Sequence, residues 1–401
     1  MTQRLYYDDS HIRTFSATVS AVRDTDAGPR IALDRTAFYP GGGGQPPDLG
    51  TIGSWSVLEV AESEGDIWHR IDGTVEAGAT VECAVDWARR FDHMQQHTGQ
   101  HILSRAFVEI ARADTRSFHL GDEVVTIDVD HADPDPALLA RVEAHANQAV
   151  WDDRPVVIHL VSLEEARRFP LRKAPDVEGT VRVVEISEYD WSACGGTHVR
   201  RSGEVGQILI LGTERYKGGT RVSFVAGGRA LRRARETGDL LRRVCLEFST
   251  GEGDLPNAIS RLKEERERLD RRLRPLLRES LEREADRLLA GAAVGPHGPV
   301  VALFAPDRTA EELGQLAGLL VSRGATALLI GGSDTPRAHF SAPAGTLSMG
   351  ALLGDICRRH GGRGGGRAES AQGTIPRPSV EAALGEAREA AMAGREKGAT
   401  A

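Results

Sequence analysis

Short runs of alternating apolar and polar residues fill the first 88 positions: FSATVSAVRD, RIALDRTAFYP, GSWSVLEVAES, DIWHRID and TVECAVDWA, separated by Gly, Asp and Pro. A period of two with turn residues between runs predicts short β-strands, and their succession predicts a small β-barrel over residues 1–90. The turn YPGGGGQPPDLG interrupts this series, and its glycines at 41–44 allow backbone conformations and close approaches that a side chain would block. It reads either as a flexible hairpin end or as a functional loop.

The period then lengthens. Met94, Ile102, Leu103, Phe107 and Ile110 form an apolar stripe through MQQHTGQHILSRAFVEIA, which predicts a helix with Asp92 as its N-cap. A hairpin over 117–129, a helix over 134–150 opening at a proline, and strands in PVVIHLV, TVRVVEIS, QILILGTERY and TRVSFVAG follow, so one helix packed on an antiparallel sheet is expected. From 229 to about 290 Arg, Glu and Leu dominate. Leu255, Ile259, Leu262, Leu269, Leu273 and Leu276 mark a heptad-like seam interrupted by Arg266, and Pro275 predicts a kink or a division. This stretch reads equally as a helix packed within its own subunit or as a coiled-coil arm. VVALFAP, EELGQLAGLLVSRG and ATALLIGG then predict a β-α-β unit, and the last twenty residues a helix with a frayed tail.

Composition narrows the class. The chain has 401 residues, too many for one ordinary core, and a net charge of −8, which argues against a uniformly basic coat and leaves room for local basic patches. The N-terminus lacks an apolar signal segment and no run approaches the roughly 20 apolar residues of a membrane span, so a cytoplasmic enzyme without membrane contact is expected. Four scattered cysteines make a disulfide framework improbable; Cys83 sits in an alternating apolar run and reads as core.

Two short patterns carry the chemistry. HTGQH holds His97 and His101, and CGGTH holds Cys194 and His198, each pair with three residues between. On a helix the first pair projects from one face a turn apart, and imidazole with thiolate favours zinc over the oxygen-seeking magnesium or calcium. Neither motif contains a Glu that could act as general base. Gln100 could reach substrate or water, and His119 in SFHLG reads either as a neighbour of the ligands or as a packed edge residue.

RTAFYPGGGGQP at 35–46, DHMQQHTGQHILS at 92–104, SACGGTHVRRSGEVGQILIL at 192–211 and RVSFVAGGRAL at 221–231 resemble the alanyl-tRNA editing family, the editing domain of alanyl-tRNA synthetase and its free-standing AlaX relatives. GGRGGGRAESAQG at 361–373 resembles the C-terminal domain that those synthetases share with DHH phosphoesterases, which makes the long AlaX form the nearest likeness. The resemblance implies an α+β multidomain protein: the β-barrel at 1–90, an α/β zinc-containing editing domain with an antiparallel sheet at 91–228, a long helical linker at 229–292, a C-terminal α/β glycine-rich domain for tRNA binding or dimerisation at 293–380, and a tail at 381–401. It implies a hydrolase that removes serine from mischarged tRNA(Ala) in trans, with glycine as a further candidate substrate. Because the chain starts at the barrel, without an aminoacylation domain, no ATP is expected. A synthetase pocket discriminates single small groups by only about 10–200-fold, which explains the need for a second sieve.

By resemblance His97, His101, Cys194 and His198 hold Zn2+, which would either acidify a water or anchor the substrate amine or ester. Thr36 is suited to bonding the seryl hydroxyl, while Gly42, Gly43, Gly44 and Gln45 offer a surface for the terminal adenosine. Arg89, Arg90, Arg200 and Arg201 are candidates for acceptor-stem phosphates, and Arg363 and Arg367 for tRNA backbone or a dimer contact. A homodimer is expected. Two rivals stand beside this reading: a zinc-stabilised RNA-binding or oligomerisation module without catalysis, and an editor of Ser-tRNA(Thr).

Overall fold

A computed structural model of the chain describes residues 1–26, 28–173 and 179–394. The chain divides into two compact units, Met1–Leu246 and Glu247–Ala401.

In the first unit, strands Thr14–Thr25, Gly28–Leu33, Asp66–Ile71, Trp55–Ser63, Gly50–Ile52 and Thr80–Val85 hydrogen-bond in that order, and the last pairs back to the first to close a six-stranded barrel. The alternation explains the closure: Val19, Ile31, Leu33, Val57, Val60, Ile67, Ile71 and Cys83 point inward and are buried together with Phe38. The barrel hands over directly to the long helix Trp87–Ala111. Its N-cap is Asp86, whose carboxylate accepts from the Arg89 amide, so the cap lies six residues before the expected one at Asp92. Asp92 lies on the helix instead and pairs with the buried Arg229 at 2.6 Å.

That helix is unusual in burying fourteen of its residues, polar ones included, because it is packed on several sides. A four-stranded antiparallel sheet in the order Ile208–Tyr216, Gly219–Ala226, Val125–Val129, Thr115–Leu120 packs against it through Val222, Phe224, Ile127 and Leu120. The helix Pro136–Trp151, capped by Asp135, adds Val142, Ala146 and Val150 to the same core. A three-stranded sheet, Val156–Ser162, Thr180–Ile186 and Asp190–Ala193, carries the chain to the CGGTH segment.

The helical stretch that follows is two helices, Gly227–Glu247 and Leu255–Ala290. The division comes at Ser249, whose φ of 49° is left-handed, and not at Pro275, which sits inside the second helix. Pro275 and the residues before it are exposed, so water can take the carbonyl that the missing amide leaves free. Leu262, Leu269, Leu273 and Leu276 are exposed, while Leu281 and Ala285 near the helix end are buried.

In the second unit a six-stranded sheet runs in the order Ala293–Gly295, Gly298–Ala305, Thr326–Gly331, Arg337–Ser341, Ser370–Thr374, Arg363–Gly366, with one parallel pair, Gly298–Ala305 beside Thr326–Gly331. Its central strand TALLIG is buried at every position because both faces are covered. Ala327 and Leu329 meet Leu313, Leu316 and Leu320 of helix Ala310–Ser322, with Leu281 and Ala285. Leu328 and Ile330 meet the helices Met349–His360 and Val380–Ala393 through Leu353, Ile356, Val380, Ala383 and Ala387. The final helix is thus part of the core, and residues 395–401 of the expected tail lie outside the described ones. Among the described residues no helix is long and apolar enough to cross a membrane.

Candidate metal centre

His97 and His101 lie on one face of the Trp87–Ala111 helix, their rings 5.3 Å apart between centroids. Cys194 and His198 arrive from the loop after strand Asp190–Ala193, placing the His198 ring 4.5 Å from that of His97 and 4.8 Å from that of His101. One ligand atom from each of the four lies within 4.8 Å of the others. Cys194 Sγ stands 3.3 Å from Nε2 of both His97 and His198.

Three features suit this group to a metal. Zn–N and Zn–S lengths of about 2.0 and 2.3 Å put tetrahedral donors roughly 3.3–3.6 Å apart, which the 3.3 Å separations of Cys194 from His97 and His198 match and the wider 4.8 Å span of the set would reach by a small contraction. Each imidazole has its other nitrogen engaged: His97 Nδ1–H donates to Gln45 Oε1 at 2.8 Å, His198 Nδ1 to Thr98 Oγ1 at 3.1 Å, and His101 Nδ1 to Asp190 Oδ2 at 3.3 Å. These bonds leave every Nε2 free to face the centre. Finally, the glycines make room: a Cβ on Gly196 would stand 2.2 Å from the His97 ring.

The electrostatics agree. Burial alone would push the Cys194 thiol up, but the surrounding imidazoles, His97 and His198 first, hold it well below the ordinary range and favour thiolate. Burial pushes His198 down to about 3, against the pull of Cys194, which favours the neutral imidazole that a metal would need. At His101 burial is outweighed by the bonds to Asp190 and Cys194, and the ring is raised. Asp190 is held below the usual carboxylate range, because its bonds to His101 and Arg172 overcome the cost of burial.

His97, His101 and Cys194 open onto a cavity of about 740 Å³, lined also by Gln100, Gly43, Tyr7 and Phe118, with His198 behind them. Phe118 stacks on His97 at 5.1 Å. Of the residues expected at the site, Gln100 is at the wall, its amide nitrogen on Ser104 Oγ at 2.7 Å. Gly43 is there too, with φ 55° and open space where a Cβ would be. Gly44 packs on Phe118, 2.7 Å from a notional Cβ, and Gly42 accepts from the Tyr39 hydroxyl, so these two shape the loop. Gln45 is drawn inward: besides holding His97, its Nε2 donates to Thr197 Oγ1 at 2.8 Å.

Other expected residues stand elsewhere. Thr36 is fully buried in the barrel, 2.9 Å from His69 Nε2 and accepting the Phe38 amide, and is not among the lining residues of the cavity. His119 is exposed on the edge strand Thr115–Leu120; its neighbour Phe118 points to the metal ligands, as alternation requires. Arg90 is corrected outright. It is fully buried, paired with Asp48, and bonds the carbonyls of Ser10 and Ala37, so no phosphate can reach it. Arg89 donates to the Pro47 carbonyl, Arg200 pairs with Asp9 at 3.0 Å and Arg201 with Asp153 at 2.6 Å. Arg363 and Arg367 are exposed on and just after the Arg363–Gly366 strand of the second unit.

Asp190, Thr98 and Arg182 complete the centre without having been expected. Arg182 is buried, and its Nη1 donates to the carbonyls of Cys194 at 2.7 Å and Gly196 at 2.9 Å, pinning the ligand loop from behind. The only sequence signal is an arginine amid the apolar run TVRVVEI, where a charge has no place unless it is bonded.

Two family models match: "Threonyl and Alanyl tRNA synthetase second additional domain" at residues 181–223, and "DHHA1 domain" at 297–393. The alanyl-tRNA editing protein AlaX-L of Pyrococcus horikoshii is 30% identical over 389 residues, covering 94% of this chain and 95% of that one. The alanine–tRNA ligase of Methanopyrus kandleri is 33% identical over 404 residues, 93% of this chain and 42% of the ligase. The editing protein Aarsd1 of Danio rerio is 33% identical over 253 residues, 62% of this chain and 61% of that one. The chain thus spans less than half of the ligase and about three fifths of Aarsd1, but nearly all of AlaX-L. With the match running through both metal-facing motifs and both units, the chain belongs to the alanyl-tRNA editing proteins of the long AlaX form.

Proposed function

We propose that this chain is an aminoacyl-tRNA hydrolase that clears serine, and glycine, from mischarged tRNA(Ala) in trans, with zinc as its metal. The observation that carries the reading is the set of three imidazoles, each with Nδ1 already bonded, converging with Cys194, and presenting His97, His101 and Cys194 to the wall of a cavity. Such pre-orientation costs nothing at the moment of reaction and suits a site that must hold a Lewis acid in one place. Zinc bound by His97, His101, Cys194 and His198 would supply that acidity to an ester or to water.

The chain's own residues do the rest. Gln45, Thr98 and Asp190 fix the ring orientations, Arg182 fixes the Cys194–Gly196 backbone, and Gln100 and Gly43 face the bound end of the substrate. The names of the relatives support alanyl-tRNA as the target. In this reading the protein works in the cytoplasm as a homodimer; Arg89, Arg200 and Arg201 in the first unit and Arg363 and Arg367 in the second contact the tRNA backbone.

Purified protein should deacylate Ser-tRNA(Ala) and Gly-tRNA(Ala) while sparing Ala-tRNA(Ala). Because the matched family model is shared with threonyl synthetases, Ser-tRNA(Thr) belongs in the same assay. Comparable rates on both tRNAs would overturn the acceptor assignment, and no deacylation by zinc-loaded protein would overturn the enzyme reading in favour of a binding module.

A further inference from the structure

The cavity beside the His97–Cys194 cluster is lined by four cations, of which only Arg172 has an ion pair among the described residues. Arg116, Arg172, Lys173 and Arg182 line it, and no Asp or Glu occurs among its described lining residues. The four differ in what they are free to do. Arg182 is held by the Cys194 and Gly196 carbonyls. Arg172 is anchored on one edge, Nε to Asp190 at 2.6 Å and Nη2 to Ser192 Oγ at 2.8 Å, which fixes its guanidinium at the cavity wall. Arg116 and Lys173 are exposed and have no ion-pair partner among the described residues. Tyr7, Phe118 and the half-exposed Leu160 supply apolar surface in the same wall.

A free amino-acid ester, cationic at its amine, gains nothing from such a lining. A phosphodiester does: arginine meets it with a planar fork and lysine with a point charge. The volume of about 740 Å³ admits a nucleotide or two but not a duplex, and exposed apolar side chains among cations are what unstacked bases and sugars require. We propose that Arg116, Arg172 and Lys173 form a phosphodiester-binding subsite that grips a single-stranded RNA 3′ end and points its terminal ribose at the His97–Cys194 wall. The inference rests on the editing reading and adds the groups that deliver the end. These are not the arginines beside the two motifs: Arg90 is buried against Asp48, Arg200 and Arg201 are ion-paired, and Arg89 donates to the Pro47 carbonyl.

The test is binding of an uncharged acceptor-stem hairpin ending in single-stranded CCA, by fluorescence anisotropy across a salt series, beside the same hairpin cut flush. Arg116→Gln and Lys173→Gln alter exposed residues, whereas Arg172 is left intact because it also holds Asp190. Each variant should weaken binding of the CCA hairpin about 5- to 10-fold and lower the log–log salt slope by about 0.7, the increment for one single-strand phosphate contact. The flush hairpin should bind the variants and the wild type alike, and Arg141→Gln, an exposed arginine of the Pro136–Trp151 helix, should change neither. An unchanged affinity and slope in the double variant, or an equal loss on the flush hairpin, would overturn the subsite. Since the RNA is uncharged, this readout is separate from hydrolysis. Wild-type deacylation with unaltered variant binding refutes the subsite alone, and variant-dependent binding in a protein that fails to deacylate refutes the editing reading alone.

Discussion

The metal centre of the first unit and the Arg363–Gly366 strand of the second were both marked by short motifs of chemically suggestive residues, yet the fold treats them differently. In the His97–His101–Cys194–His198 cluster the histidines are buried, Cys194 is half-buried, and each is backed by another group: Gln45 behind His97, Thr98 behind His198, Asp190 behind His101, Arg182 behind the Cys194 loop. Arg363 and Arg367 are exposed. The first arrangement fixes positions to a fraction of an ångström before a ligand arrives, whereas the second leaves charge on flexible stems. Function needing geometry belongs to the former, and function needing only a field to the latter.

The comparison is broken most strongly by acid. The buried His69 of the barrel is pushed down to about 4 from 6.5 by burial. It stays neutral in the folded protein while the unfolded chain takes up a proton below 6.5, so stability is intact above that pH and falls as pH drops towards about 4, by roughly 3 kcal/mol for this group. Denaturant titrations at pH 7 and pH 4.5 should show that loss in the first unit, where the buried His93 and His198 add to it, and His69→Gln should reduce it. An equal acid response in that variant would assign the loss elsewhere.

Next come the backing residues. Gln45→Ala and Asp190→Asn should each weaken metal affinity about 10- to 100-fold, measured by competition with a chelator, because the ring they orient is then free to rotate. Unchanged affinity in both would mean that the centre is not pre-oriented.

Thr36 sharpens the contrast between the barrel interior and the cavity. Thr36→Val leaves His69 Nε2 without its partner and should cost about 1–2 kcal/mol of stability. Serine selectivity should be unaltered, since the hydroxyl already holds His69 and lies outside the cavity wall. Relaxed selectivity at unchanged stability would return Thr36 to the substrate. The smallest effect is expected at Arg363→Gln with Arg367→Gln: less than about 0.5 kcal/mol in stability, with any change confined to the salt dependence of tRNA binding.

What could be read in the sequence follows the same division. Alternation marks the strands that bury one face, and the i, i+4 histidines mark the helix face on which the His/Cys cluster gathers, because both signals are local. The N-cap was misplaced to Asp92 since two aspartates six apart satisfy the same rule; only Arg229, 137 residues on, shows which one has another task. Pro275 signalled a break that an exposed helix absorbs. Gln45 and Asp190 lie 52 and 89 residues from the histidines they orient, and nothing local marks a glutamine or an aspartate as a partner. Arg89, Arg90, Arg200 and Arg201 were picked for closeness in the chain to the ligands, whereas the cavity wall draws Arg116, Arg172 and Lys173 from other segments.

The central claim is that the His97–His101–Cys194–His198 centre hydrolyses mischarged tRNA(Ala). It is tested most directly by measuring zinc content and Ser-tRNA(Ala) deacylation on the same preparations of wild type and Cys194→Ala. The account predicts one zinc per wild-type chain, and a rate that falls on the order of 10³-fold when chelation or the substitution removes the metal and returns to wild type alone when zinc is restored. Full-rate deacylation by metal-free protein or by Cys194→Ala would contradict it.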